Sequence, residues 1–316
     1  MRISDMERNR SYTSNIEQRM VNLNRIQEEI ATGRSLFAPS EDVSRADQAL
    51  TARDSLASDT QFLRNIDDGK GWVDSADTNL QSVVDLLNDI DSLAVAADNS
   101  GQTAADRQAT AVQIDQKLET LMGLVNSKHG DRYLFGGTGT TTAPFTAVRD
   151  TDGRILDASA NSETVAGQIY RRVGDGDDIQ INVSGAQLFQ PNGTAGLDGD
   201  LFYVVGALRD TIGNNNTPPA GLEDMRSNAH LRDQLDLIRT RISDQQTYLG
   251  SIGQRLDETK TRLTSNDINL TNTIEQAQGA NMTDLVSRMA TEQGAYDALA
   301  AMGQKLLGTS LVDYLR

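Results

Sequence analysis

The chain has 316 residues, which is enough for two or three domains with a sizeable core. It carries 29 Lys and Arg residues against 45 Asp and Glu residues, a formal charge of −16. This balance argues against sequence-independent nucleic-acid binding, which needs cations for the phosphates, and against docking on anionic lipid. The sequence contains no Cys, which excludes disulfides, thiolate zinc ligands and a cysteine nucleophile.

Polar motifs that could carry chemistry are few. The chain has only two histidines, His129 and His230, which are too few for a His-rich metal site and give little support to a Ser–His triad. The acidic segments 150–153 and 175–178 lack the twelve-residue frame of an EF-hand, so we interpret both as hairpin turns. Segment 136–142 has no Lys and opens no helix, so we interpret it as a linker and not as a phosphate-binding loop. We therefore predict a protein that is not an enzyme, with no catalytic, cofactor-binding or metal-binding residue.

The first predicted element is a mostly polar helix with one narrow apolar stripe. The stripe consists of Ile16, Met20, Leu23 and Ile30. No apolar targeting segment precedes it, and the chain has no run of about 18 apolar residues that could span a membrane. A helix with so little apolar area needs a partner, which is either the other end of the chain or another subunit.

A heptad seam follows in the second predicted helix. Four apolar residues recur there at intervals of seven: Ile66, Val73, Leu80 and Leu87. Such a repeat keeps one side of a helix facing a partner helix. Trp72, the single Trp, flanks this seam and is interpreted as a packing residue. Ser100-Gly101 separates the second helix from a third, predicted at about 104 to 127.

The middle of the chain is rich in Gly and Pro, and we predict a small β-rich insert from 139 to 197. Residues 133–135 are interpreted as a first strand, and 164–173 and 178–183 as two further strands around a hairpin turn. A predicted helix over 201–213 then follows the insert and leads into the C-terminal helical flank. We expect an insert of this size to unfold locally while the long helices persist.

The returning flank repeats the heptad pattern over six consecutive positions. These are Leu235, Ile242, Leu249, Leu256, Leu263 and Leu270. The last predicted helix carries a second narrow stripe, formed by Leu285, Met289, Tyr296, Leu299 and Leu306. Because neither flank has a complete core of its own, the N- and C-terminal flanks must pack together. The predicted fold is mainly α, a long antiparallel helical bundle or coiled-coil rod with a β-rich domain inserted in the middle.

Several sequence blocks occur in a familiar order. They are Met1–Ser4, Ala31–Asp42, Tyr133–Gly137, Asp178–Gly185 and Ser287–Arg316. Together they resemble the family of flagellar hook-associated protein 3, the hook–filament junction proteins of the bacterial flagellin superfamily. The Pro39-Ser40 pair favours the junction family over the flagellins, whereas Glu41 and Val43 depart from the usual Asp and Pro of this block.

The resemblance implies a structural adaptor subunit that joins the flagellar hook to the filament through packing of its terminal helices. It implies partners among the preceding hook-associated protein, flagellin, copies of itself and an export chaperone, with no cofactor, nucleic acid or membrane insertion. It also implies export through the flagellar apparatus to an extracellular position at the junction. The implied division is a polymerisation region (1–45 and 280–316), a helical rod (46–138 and 198–279) and the outer insert.

Two other functions stay open at this point. Flagellin, the filament subunit, shares the terminal helices of the superfamily. A glycan-binding surface adhesin would use the β-rich insert as its recognition domain. Labelling of intact flagella would distinguish the hook tip from the filament, and glycan binding by the insert would favour the adhesin.

Overall fold

The computed structural model describes residues 2–160, 163–190, 199–214, 216–217 and 227–314. Within these residues the chain is mainly helical, and short antiparallel strand pairs lie between the third and fourth helices. The predicted fold class, mainly α with a β insert, is confirmed.

Seven α-helices and six strands lie in the described part of the chain. The helices are α1 (Arg2–Thr32), α2 (Val43–Ala97), α3 (Ala104–Val125), α4 (Gly185–Phe189), α5 (Leu201–Gly213), α6 (Asn228–Gln278) and α7 (Met282–Tyr314). The strands are β1 (Lys128–His129), β2 (Arg132–Tyr133), β3 (Phe145–Arg149), β4 (Ile155–Ala160), β5 (Tyr170–Gly174) and β6 (Asp177–Gln180). Each strand pairs with its chain neighbour, which gives three antiparallel hairpins.

The chain divides into two compact units. We call Met1–Ser58 together with Ser265–Arg316 the terminal unit, and Asp59–Thr264 the central unit. The predicted end of the insert, at residue 197, lies outside the described residues.

The heptad residues of α2 and α6 form the core of the central unit. Nine of them are buried there: Ile66, Val73, Leu80, Leu87, Leu235, Ile242, Leu249, Leu256 and Leu263. Ion pairs cross between the helices beside this core, Lys70 Nζ to Asp257 Oδ2 at 2.9 Å and Lys260 Nζ to Asp67 Oδ1 at 2.7 Å. Asp67 comes before Lys70 in α2, whereas its partner Lys260 comes after Asp257 in α6. The two helices therefore run antiparallel, as predicted for the flanks.

The acidic turns close two hairpins. In the β3–β4 turn, Asp150 Oδ1 accepts hydrogen bonds from the Asp152 and Arg154 amides at 2.9 and 2.8 Å. Gly153 has a φ of +85°, a conformation that a side chain disfavours. These bonds to the carboxylate hold the pKa of Asp150 below its ordinary value, with the Arg154 amide as the largest cause. The carboxylate of this turn therefore orders its own backbone.

The predicted strand over 164–173 is wrong in its first half. Glu163–Ala166 forms a 3-10 helix, and β5 begins only at Tyr170. The reason lies in Asn182, whose side chain is fully buried. Its Oδ1 accepts from the Ile169 amide at 2.7 Å and its Nδ2 donates to the Gly167 carbonyl at 2.9 Å. One side chain thus supplies the partners that a strand ladder would otherwise provide.

The first predicted strand is also shorter than expected. Only Tyr133 of 133–135 lies in a strand, β2, and the next two residues form a turn. Leu134 and Phe135 are buried, and the Phe135 ring meets the Phe189 ring edge-on with centroids 5.2 Å apart. Their apolar character therefore reflects burial in the core and not strand formation.

The β-rich segment shares one core with the long helices. Ile181 and Leu256 are both fully buried and belong to the same apolar cluster. A Cβ placed on Gly69 of α2 would lie 3.1 Å from Ile181 Cγ2 and 3.8 Å from Leu256 Cδ1. This shared packing does not support the expectation that the insert unfolds locally while the helices persist.

Candidate functional site: the paired terminal helices

The terminal helices α1 and α7 pack against each other within the terminal unit. The residues assigned to the predicted polymerisation region, 1–45 and 280–316, all belong to this unit. Two specific contacts define the pairing, one near the start of α1 and one nearer its middle. The contact nearer the start of α1 is made to a later residue of α7 than the contact nearer its middle. The helices therefore run antiparallel.

The first contact joins Tyr12 of α1 to the backbone of α7. The Tyr12 hydroxyl donates a hydrogen bond to the Leu299 carbonyl oxygen at 2.9 Å. The same ring lies against Gly303, where a Cβ would overlap the Tyr12 hydroxyl and ring. Gly303 interrupts the apolar stripe of α7 because the space beside it holds the aromatic ring of α1.

The second contact is an ion pair on the same side of the helices. Arg19 Nη1 lies 2.6 Å from Glu292 Oε2, and the side chains are 41% and 19% exposed respectively. Glu292 interrupts the apolar stripe of α7, and Arg19 is the charged residue of α1 that meets it. Each interruption of the stripe in one helix therefore has a matching residue in the other.

Both contacts follow one heptad register. Arg19 lies seven residues after Tyr12, and Glu292 lies seven residues before Leu299. One further heptad leads to Ile26 and Leu285, each 2% exposed. We call the resulting set the terminal seam: Tyr12, Ile16, Arg19, Leu23, Ile26 and Ile30 of α1, with Leu285, Met289, Glu292, Tyr296, Leu299 and Gly303 of α7. The spacing alternates between four and three residues along both helices, as in a coiled coil.

The residues predicted for these stripes fall into three groups. Ile16, Leu23 and Ile30 of α1 are partly buried on the seam side, as are Met289, Tyr296 and Leu299 of α7, and Leu285 is fully buried. Met20 lies off the terminal seam and is 48% exposed. The side chain of Leu306 lies outside the described residues. Leu270, predicted for the rod seam, lies in the terminal unit and is partly buried.

Three seam members did not emerge from reading each helix separately: Tyr12, Arg19 and Ile26. An antiparallel alignment of the two ends would have found them, because it sets Arg19 near Glu292 and Tyr12 near Gly303. Matched interruptions in two heptad rows are thus a signal that the sequence contains, but it is visible only when both rows are compared.

Exposed apolar side chains are concentrated in the terminal unit. Among the described residues, sixteen large apolar side chains are exposed, and nine of them belong to this smaller unit. The nine are Met20, Val21, Phe37, Val43, Leu50, Ile268, Met282, Val286 and Met302. Since the terminal seam does not cover them, they remain available for contact with other molecules.

The turn after α1 joins the turn before α7 through the backbone. The Ser35 amide donates to the Gln278 carbonyl at 2.8 Å, and the Ala280 amide donates to the Gly33 carbonyl at 3.0 Å. Gly33 has a φ of +68°, which favours glycine, and its amide closes the last turn of α1 on the Glu29 carbonyl at 2.8 Å. Chain reversal after α1 is therefore tied directly to the end of α6.

Arginine side chains reinforce this junction of turns. Arg45 donates through Nε to the Ala277 carbonyl at 2.8 Å and through Nη2 to Ser35 Oγ at 3.0 Å. A guanidinium at the end of a helix satisfies a carbonyl that has no partner within the helix and complements the helix dipole. Arg34 and Arg53 both donate to Gln278 Oε1, at 2.8 and 2.6 Å.

The acidic residues at the end of the Ala31–Asp42 block order the start of α2. Asp42 Oδ1 accepts a hydrogen bond from the Arg45 amide at 3.0 Å, and Glu41 Oε2 accepts one from the Phe37 amide at 3.2 Å. Asp42 thus acts as the N-cap of α2. Arg25 lies 3.2 Å from Glu41 and 3.0 Å from Glu29, and the hydrogen bond to Glu29 is the main cause that raises the pKa of Arg25. This block therefore has a structural role in holding the turn.

Chemistry other than packing has little support in the described part of the chain. Those residues include no group of three or more His, Asp or Glu side chains placed to hold a metal ion. None of the helices found there has the length and apolar character needed to cross a membrane. A small polar pocket of about 230 Å³ is lined by Gln108, Asp115, Arg154, Arg209 and Asp210, among others. Arg209 is used there for structure, because it donates to Asp115 Oδ1 and to the Ile155 carbonyl at 2.6 and 2.7 Å.

Residues 3–140 match the bacterial flagellin N-terminal helical region, and they include α1 and the block that ties α1 to α6. The N-terminal part of the chain is thus similar to the flagellins in this region. Flagellar hook-associated protein 3 of Escherichia coli K12 is 22% identical over 285 residues, which is 87% of this chain and 88% of that protein. The protein of the same name from Salmonella typhimurium LT2 is also 22% identical, over 96% of this chain and 97% of its own length.

A solved structure of a flagellar hook-associated protein shows a similar fold. The crystal structure of flagellar hook-associated protein 3 from Legionella pneumophila aligns with a TM-score of 0.59 at 13% identity, covering 72% of this chain and 98% of that one. The chain is thus similar in fold and in sequence to flagellar hook-associated proteins, as the resemblance of its blocks predicted.

Proposed function

We propose that this chain is the structural adaptor subunit that joins the flagellar hook to the flagellin filament, and that it is not an enzyme. The observation that carries the proposal is the extent of the sequence match. Two relatives named flagellar hook-associated protein 3 align with 87% and 96% of the chain. Its partners in the flagellum are then the preceding hook-associated protein, flagellin and copies of itself.

The terminal unit is the polymerisation region of this proposal. Its seam pairs α1 with α7, and the apolar side chains that the seam leaves exposed meet neighbouring subunits. Burying a side chain such as Val21 or Val286 against a neighbour contributes about 1.5–3 kcal/mol. A ring of subunits would repeat this contribution at each contact, so that modest contacts hold a continuous junction.

The proposed route to this position is the flagellar export apparatus, with an export chaperone bound before secretion. The chain travels unfolded, and its final location is extracellular, at the hook–filament junction. The absence of Cys suits this route, because an unfolded chain without thiols cannot form wrong disulfides outside the cell.

Deletion of the gene combined with immunogold labelling tests the proposal. Cells without the protein should keep hooks, lack filaments and release unattached flagellin into the medium, and expression from a plasmid should restore filaments. Gold-labelled antibody should mark a single position at the hook tip of intact flagella. Normal filaments in the deletion strain, or label along the whole filament, would overturn the adaptor role.

The second candidate is flagellin itself, because the matched N-terminal helical region is named for flagellin. The same experiment separates the two functions. A filament subunit would be labelled along the filament, and its deletion would leave the medium without filament protein. The adaptor is favoured because the full-length relatives carry the hook-associated name.

A further inference from the structure

We propose that two matched pairs of the terminal seam, Arg19 with Glu292 and Tyr12 with Gly303, set the register between α1 and α7. In this role they specify which heptad of one helix faces which heptad of the other. The remaining seam positions stabilise the pair but do not distinguish one register from the next.

The need for such residues follows from the heptad itself. An apolar row repeats every seven residues, so a slip of seven residues brings apolar side chains opposite apolar side chains again. Ile16, Leu23 and Ile30 are similar in size and would tolerate such a slip. A single polar or unusually shaped position in the row removes this degeneracy, because it has one correct partner.

Slipping by one heptad would separate the ion pair. In the observed register Arg19 Nη1 lies 2.6 Å from Glu292 Oε2. A slip places Arg19 beside Leu285 or Leu299 and leaves two partly buried charges without each other. Such charges lose their hydrogen-bonded partner while they remain partly desolvated, so either slipped register is disfavoured.

Steric exclusion acts at the other pair. Tyr12 fits against α7 only because position 303 has no Cβ, and its hydroxyl uses the Leu299 carbonyl at 2.9 Å. A slip in one direction would bring the ring to Tyr296 instead of Gly303. Gly294, in the same helix, offers a contrast because a Cβ there would meet no atom within 4 Å. The glycine at 303 is therefore required by its partner, whereas the glycine at 294 is not.

Distances between spin labels test the register in the purified full-length protein. The chain has no Cys, so Val21→Cys and Met302→Cys place two labels at exposed sites outside the terminal seam. The two sites are offset along the helix axis by about twelve residues, or about 18 Å at 1.5 Å per residue. A one-heptad slip changes this offset by about 10 Å, which pulsed electron resonance resolves.

Charge exchange provides the decisive comparison. We expect one main distance in the labelled protein with the natural seam. Arg19→Glu alone and Glu292→Arg alone should each shift or broaden the distance distribution, and the double exchange should restore the original distance. Single variants that keep the original distribution, or a double variant that does not recover it, would overturn the role of the ion pair.

Glycine substitutions test the steric pair in the same labelled protein. Gly303→Ala should displace the distribution, Gly294→Ala should leave it unchanged, and adding Tyr12→Ala to Gly303→Ala should bring it back toward the original distance. Equal behaviour of the two alanine variants would overturn the role of Tyr12 and Gly303. This measurement reads helix register directly, so its result is independent of whether the protein joins hook to filament.

Discussion

Ile181 packs against Gly69 of α2 in the central unit. Gly69 carries only a hydrogen at the point where the isoleucine side chain lies. A Cβ at Gly69 would lie 3.1 Å from Ile181 Cγ2, which is closer than most side-chain contacts. The β-rich segment therefore approaches α2 at a point where the long helix carries no side chain. This contact makes the helices and the β-rich segment parts of one core.

Enlarging Gly69 should destabilise this core. We expect Gly69→Leu to lower the free energy of unfolding by about 1–3 kcal/mol, because extra methylenes overfill a packed site. The control is Gly250→Ala at an exposed position of α6, where a Cβ meets nothing within 4 Å. That change should stabilise the protein by up to about 1 kcal/mol, because Ala is the better helix former. Thermal melts followed by circular dichroism check both, and a Gly69→Leu variant as stable as the natural protein contradicts the packing argument.

Introducing an acid into the shared core should unfold the helices and the β-rich segment together. Ile181→Asp and Leu256→Asp each place an unpaired carboxylate at a site that is 0% exposed, at a cost of several kcal/mol. Leu237→Asp is the control, because Leu237 is 57% exposed on the same helix as Leu256.

Two probes follow the unfolding of these variants. Helical circular dichroism reports the long helices, and the fluorescence of Trp72, the single Trp and 3% exposed, reports the core beside His129. Both aspartate variants should melt at lower temperature with the two signals changing together. If the helices of the Ile181→Asp variant melted at the normal temperature, the insert would unfold independently of the helices and the shared-core argument would be wrong.

Acid should weaken the contact between α3 and the β3–β4 hairpin. Glu119 and Arg149 form a two-pronged ion pair, and hydrogen bonding to the guanidinium holds the pKa of Glu119 below its ordinary value. A lowered carboxylate pKa in the folded state contributes stability above the unfolded pKa, near 4.3, and that contribution is lost as pH falls through the folded pKa.

Glu119→Gln isolates this effect. The natural protein should be the more stable of the two at pH 7, and the difference should shrink as the pH is lowered from about 5 toward 3. Urea unfolding at a series of pH values gives the comparison. Because both side chains are about half exposed, the difference should be small and should fall in high salt. If the stability difference between the natural protein and Glu119→Gln grew on acidification, the ionised Glu119 would not be the stabilising form, and the prediction would be wrong.

Removing two leucines of α7 should stop attachment of the filament. Leu299→Ser combined with Leu306→Ser takes away apolar side chains that contribute about 1.5–3 kcal/mol each when buried. Cells that carry this variant should secrete it and flagellin at normal levels but bear no filaments. Leu237→Ser with Tyr248→Ser, two exposed positions of the central unit, is the control and should leave filaments normal. Swimming cells with normal filaments in the α7 double variant would show that this helix is not the polymerisation surface.

Local patterns in the sequence determined which segments are helical and which sides of them are apolar. The heptads of α2 and α6 are readable because a 3.5-residue repeat is a property of each helix alone. The turns at Asp150–Gly153 and around Gly176 are readable because short-range backbone conformation favours these residues. For such features the information lies within a few residues.

Only the tertiary structure decided how the interruptions of those patterns are used. Arg19, Glu292 and Gly303 break their apolar rows when each helix is read separately, and they become complementary when α1 faces α7. Asn182 likewise replaces the first half of the predicted strand 164–173, because its side chain bonds to backbone groups thirteen and fifteen residues earlier in the chain. The physical reason is the same in each case: the favourable partner of a polar or very small residue lies far away in sequence, so its contribution depends on a contact that no local pattern contains.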